Sequence, residues 1–153
     1  MTLNTLDPEV GGRIYSHVFY RGKRYSGAAG AGILLVNQLE GIARAVEYGM
    51  TVKVNTVLIP GVNDAQVRLI AHKVRELGAF VMNVMPLIPQ ADFAGVTPPP
   101  PEQLEVVRSA NEKIIGQFRH CRQCRADAIG LIGQDVQVGA SGCSITNSSA
   151  ALG

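Results

Sequence analysis

The sequence predicts an α/β fold: part of a β/α barrel, about three parallel β/α units followed by a C-terminal CxxC loop. Three observations lead there. The β-branched and apolar runs "TVKVNTVLI" (51–59) and "AFVMNVMPLI" (79–88) alternate with stripes of helical period. The run at 79–88 is near-continuously apolar, as in a strand covered on both faces. Three parallel strands would leave two sheet edges open, so the pattern reads as the C-terminal half of a larger barrel. A small, complete three-layer α/β domain is the competing arrangement.

The elements follow in order. "TLNTL" (2–6) predicts a short strand. "DPEVGGRIYSHV" predicts a helix, with Asp7 as N-cap and Pro8 in the first turn. A loop rich in Gly and Tyr, roughly 20–30, leads to a longer helix striped by Leu35, Leu39, Ile42 and Val46 and ended by Gly49. After the strand at 51–59, "PGVND" turns the chain. Asn63 or Asp64 can cap the next helix, whose stripe is Val67, Ile70, Ala71, Val74 and Leu77, with Gly78 at its end. The strand at 79–88 follows, then "TPPPPEQ" and a last amphipathic helix with Leu104, Val107, Ile114 and Phe118. The domain is expected to run over 1–135, and 136–153, rich in Gly, Ser and Ala, reads as a flexible tail. No internal repeat is present beyond the β/α alternation.

Composition narrows the class. With 153 residues, 46% hydrophobic and 17% charged, the chain can bury a real core, which excludes a disordered or fibrous class. A net charge of +2 gives no basis for a nucleic-acid partner. No run approaches the roughly 18 apolar residues of a membrane span, and "MTLNTLDPEV" lacks the basic start and apolar core of a signal peptide. Three cysteines form no disulfide framework, so a reducing cytoplasm is the expected location.

Polar residues interrupt the apolar strands. Alternate residues of a strand share a face, so Thr2 pairs with Asn4 and Lys53 with Asn55, while Asn83 breaks a third strand. A buried amide or ammonium costs several kcal/mol unless partnered. Each group could be satisfied by its neighbours. Three adjacent strands carrying such groups also describe a lined cavity, at the strand ends where β/α barrels place their working residues. That lumen suits a small polar molecule with an amino-acid end and a nucleoside end.

The segment "RHCRQCRADAIGLIGQD" (119–135) carries Cys121 and Cys124 among Arg119, His120, Arg122 and Arg125. A CxxC can present two thiolates to one tetrahedral metal or cluster, which still needs other ligands. The arginines favour thiolates, which serves metal binding and redox chemistry equally. A redox CxxC is expected after a strand near the chain start, whereas this one follows a helix near the end. Cluster, redox pair and structural thiols all remain open from spacing alone.

The blocks "TLNTLDPEVGGRIYSHVFYRGKRY", "VKVNTVLIPGVND", "MNVMPLIP" and "RHCRQCRADAIGLIGQD" resemble, in order and from residue 2 to about 135, the NifB family of radical S-adenosylmethionine proteins in nitrogenase cofactor biosynthesis. The resemblance implies a radical S-adenosylmethionine barrel. In that family two 4Fe–4S clusters are fused into an eight-iron precursor. A methyl group of S-adenosylmethionine becomes the central carbide after hydrogen abstraction by a 5′-deoxyadenosyl radical. It implies iron–sulfur clusters as substrates, and iron–sulfur donors and nitrogenase cofactor-maturation proteins as partners. By the same resemblance Cys121 and Cys124 ligate an auxiliary 4Fe–4S cluster. Thr2 contacts S-adenosylmethionine and Val54 packs on its nucleoside, with Asn4, Lys53, Asn55 and Leu87 as pocket neighbours.

The family's radical-initiating cluster sits in a CxxxCxxC motif, which this sequence lacks. The expectation is therefore a fragment matching the C-terminal half of the barrel, inactive alone; a truncated product, a partial sequence or one part of a split enzyme each fits. The alternatives are a non-catalytic 4Fe–4S carrier and, from "VKVNTV" with "PGVND", a molybdopterin-type radical cyclase relative.

Overall fold

The computed structural model describes residues 1–119. Helix α1 (Pro8–Ile14) starts as the sequence dictates: the Asp7 side chain accepts from the Glu9 amide, and Pro8 occupies the first turn. Strands β1 (Val18–Tyr20) and β2 (Lys23–Tyr25) form an antiparallel hairpin. Its two-residue turn is Arg21–Gly22, with φ of 49° and 75°, the mirror-image turn that matches strand twist. Then come α2 (Gly27–Glu47), β3 (Lys53–Leu58), α3 (Asp64–Glu76), β4 (Val81–Pro86), a short 3₁₀ turn (Ala91–Phe93) and α4 (Pro101–Glu112).

Strands β3 and β4 pair in parallel, Lys53 opposite Val81 and Asn55 opposite Asn83. Flanking chain extends the ladder on both sides. The Leu3 amide donates to Asn55 and the Asn55 amide to Met1, at 2.9 and 2.7 Å. Beyond β4, the Met82 amide donates to Gly116 and the Phe118 amide to Met82, at 2.9 and 2.8 Å. Thr2 and Gln117 thus make parallel bridges to Asn55 and Met82. Four parallel lanes follow one another in chain order, each separated from the next by a helical crossover.

The core lies on one side of these lanes. Even-numbered strand residues Val54, Leu58, Met82 and Val84 pack with Leu3 and with Ile42 of α2, Val67, Ile70 and Val74 of α3, and Leu104 of α4. The helical stripes read from the sequence point into this core, as their spacing requires. Burying one such aliphatic side chain stabilises by roughly 1.5–3 kcal/mol.

The expected α/β class holds: among the described residues the architecture is mixed α/β with small sheets and no closed barrel. Other expectations need correction. The strand expected at 2–6 pairs only around Thr2, because Asp7 and Pro8 begin a helix almost at once. The expected loop at 20–30 holds the hairpin and the first turn of α2. Ile114 and Phe118 lie past the end of α4: the Asn111 carbonyl accepts from both Ile114 and Ile115, closing the helix, and Phe118 joins the sheet. His120, Cys121, Cys124, Cys143 and the boundary at 135 lie outside the described residues. Among the described residues no helix is long and apolar enough to cross a membrane.

Candidate functional site

The alternation that sends Leu3, Val54 and Met82 into the core sends their neighbours to the opposite face. Thr2 and Asn4, then Lys53 and Asn55 on β3, then Asn83 on β4, form a polar strip across three adjacent lanes, and Phe118 borders it on the fourth. The sequence paired these residues correctly, and the structure brings them together.

Within the strip some amides are committed to the fold. Asn4 accepts from the Val57 amide at 2.9 Å and donates to the Tyr15 hydroxyl at 3.2 Å. Burial pushes the Tyr15 hydroxyl above its ordinary pKa, with Gln38 and Asn4 as polar neighbours pulling the other way. The Asn83 amide donates to Asn55 Oδ1 at 3.2 Å. Asn83 is only 1% exposed, and its own Oδ1 accepts no hydrogen bond. An acceptor in that state costs about 1–3 kcal/mol, so it marks a place where a donor is wanted.

Lys53 contributes the positive charge. Its Nζ stands 4.4 Å from the centre of the Phe118 ring, a cation–π contact that reaches across β4. Thr2 is exposed at the edge of the strip. Val54, by contrast, is separated from this group: its side chain is fully buried on the helix side. Leu87 is buried just after β4, outside the helix-side core. Sequence reading assigned no site role to Phe118, which it put on a helix, and the Asn55–Asn83 pairing needed the strand register to be seen.

Arg119, the last described residue, leads into the cysteine segment and is held against α4. Its guanidinium meets Glu105, and donates to Glu112 at 2.6 Å and to the Ser109 hydroxyl at 3.3 Å. The hydrogen bond from Arg119 draws the Glu105 carboxyl below its usual range. These carboxylates are half-exposed, so the clamp orients the chain more than it stabilises the fold.

Among the described residues no group of three or more His, Cys, Asp or Glu could hold a metal ion. An open groove of about 320 Å³, lined by Tyr20, Gly32, Ile33, Val36 and Asn37, lies between the hairpin and α2. It shares no residue with the strip and is mainly apolar.

Fold and strip define a class: an α/β protein with a parallel sheet, helices packed on one face and a polar strip on the other. The comparisons with known proteins narrow it. No protein-family model matches the chain. It is 42% identical over 141 residues to the FeMo cofactor biosynthesis protein NifB of Klebsiella pneumoniae, covering 88% of this chain and 30% of that protein. The NifB of Frankia alni is 43% identical over 145 residues, covering 88% and 28%. That of Methanocaldococcus jannaschii is 43% identical over 132 residues, covering 86% and 44%. The chain is NifB-related, and it spans less than half the length of each of these relatives.

Proposed function

We propose that this chain is part of a NifB-type enzyme of iron–molybdenum cofactor biosynthesis, forming about three β/α units of a radical S-adenosylmethionine barrel. The observation that carries the reading is the identity of 42–43% over 86–88% of the chain to proteins named for that pathway. Four parallel lanes in chain order, with helices on one side, support the barrel segment.

On this reading the polar strip is the ligand face. S-adenosylmethionine supplies the inserted carbon and the radical chemistry when bound. Its ammonium, amine and hydroxyl groups are the donors that Asn83 Oδ1 lacks; Asn55 on the adjacent strand is half-buried, and Thr2, one lane further, is exposed. Val54 serves the nucleoside through its strand backbone, its side chain being occupied in the core. Asn4, Lys53 and Leu87 complete the surroundings. Cys121 and Cys124 hold one 4Fe–4S unit, a substrate for fusion into the eight-iron precursor. Partners would be iron–sulfur donors and cofactor-maturation proteins in a reducing cytoplasm.

The sequence has no CxxxCxxC, so the chain alone should not initiate the radical reaction. Anaerobic reconstitution with iron and sulfide tests the reading. The chain should take up one 4Fe–4S unit, and the double substitution Cys121→Ala, Cys124→Ala should abolish it. Equal iron in the two proteins would refute the assignment.

A further inference from the structure

We propose that the groove between the β1–β2 hairpin and α2 docks an acidic protein segment, which seats an apolar side chain in the groove and sets its carboxylates against Arg21 and Lys23. The inference is independent of the reading above and uses none of the polar strip. Charge is segregated along the chain. From Val10 to Leu39 the bases are Arg13, Arg21, Lys23 and Arg24 and there is no acid, whereas acids outnumber bases in the remainder. Arg13 is engaged by the fold, donating to the Gly61 carbonyl at 3.1 Å. Arg21, Lys23 and Arg24 are exposed, and among the described residues none of them forms an ion pair.

Two of these cations stand at the groove itself, and Tyr20 links them to it. Tyr20 is part of the groove lining. The Arg21 guanidinium lies 5.3 Å from the centre of the Tyr20 ring. Lys23 is the register partner of Tyr20 across the hairpin, so their side chains share a face. The opposite wall is α2, where Gly32 with Val36 and Ile33 with Asn37 are neighbours one turn apart, on a face distinct from the core stripe of Leu35, Leu39 and Ile42. Val36 is 63% exposed in mid-helix, and an apolar surface rimmed by polar groups is the mark of a protein contact. A segment carrying both chemistries fits it: the apolar anchor leaves water in the groove while carboxylates meet the cations and steer the encounter. A nucleic acid offers phosphates but no aliphatic anchor, and the net charge of +2 is small. A membrane surface needs apolar side chains that project, whereas Tyr20 and Ile33 are half-buried in a recess.

The test titrates the full chain into a fluorescently labelled amphipathic peptide, a leucine stripe flanked by glutamates, and follows its anisotropy over a range of ionic strength. The peptide should bind, and bind more weakly as salt rises. Its counterpart with glutamine in place of glutamate should bind roughly tenfold more weakly at low salt. The double substitution Arg21→Gln, Lys23→Gln should lose roughly tenfold in affinity at low salt and flatten the salt dependence. Val36→Gln should lose roughly tenfold at every salt concentration, since it removes apolar contact and no charge. Circular dichroism checks that each variant is folded. Affinity unchanged in the folded variants, or equal for the two peptides, would overturn the inference, as would no binding of the glutamate peptide. Preference for a single-stranded RNA oligonucleotide or for phosphatidylglycerol vesicles over the peptide would overturn it and assign the cations to phosphates. Self-association that Val36→Gln abolishes, with no peptide bound, would overturn it in favour of a second copy of the chain.

Discussion

Asn63 shows how one residue can carry more of the fold than its sequence context suggests. As a potential cap it reads as a local device, yet its side chain caps nothing in α3. Fully buried, it accepts from the Ile59 amide at 2.8 Å and donates to the Asn4 and Val57 carbonyls at 2.9 and 2.8 Å. It therefore ties the "PGVND" turn to the first lane and to β3, directly behind the strip. Asn63→Ala strands three backbone groups and should cost on the order of 3 kcal/mol, read as a lower urea midpoint with unchanged slope. Tyr15 offers a pH-dependent counterpart. Its raised pKa means that the folded state resists ionisation, so its contribution is complete below the ordinary value of 10.0 and is lost as pH climbs through the folded value. An ultraviolet titration should show a late tyrosinate component that Tyr15→Phe removes.

At the level of elements, the α1–α2 contact depends on absent side chains. A Cβ on Gly12 would lie 2.8 Å from the Gly27 carbonyl carbon and 2.9 Å from the Ala28 nitrogen, both backbone atoms that cannot yield alone. Gly12→Ala should therefore destabilise by about 1–3 kcal/mol, measurable as a lower thermal midpoint, with α1 displaced from α2. This close approach was not legible in the sequence, since a glycine pair inside a helix has no local signature for what it faces. The hairpin escaped for a related reason. Its turn residues are Arg21 and Gly22, and arginine with positive φ gives none of the warning that an Asn-Gly turn would. What could be read were the elements whose period is set by burial: α2, α3, β3 and β4, each placed within a few residues by its apolar stripe.

Across the whole molecule, the strip was legible as a pattern before its geometry was known. Alternation alone put Thr2 with Asn4 and Lys53 with Asn55. What alternation could not give was register, which brought Asn83 beside Asn55, nor the short fourth lane, which brought Phe118 to Lys53. Val54, of the same strand, is turned by that alternation into the helix-side core. The four lanes share one arrangement: apolar core on the helix side, polar strip on the other. The most direct test is an amide NMR titration of the chain with S-adenosylmethionine, which shifts the resonances of residues beside the ligand. The polar-face account predicts shifts at Thr2, Asn55 and Asn83, with Ala71 and His72 of α3 unmoved. Shifts confined to the helices or to the β1–β2 hairpin, with the strip unaffected, would contradict it.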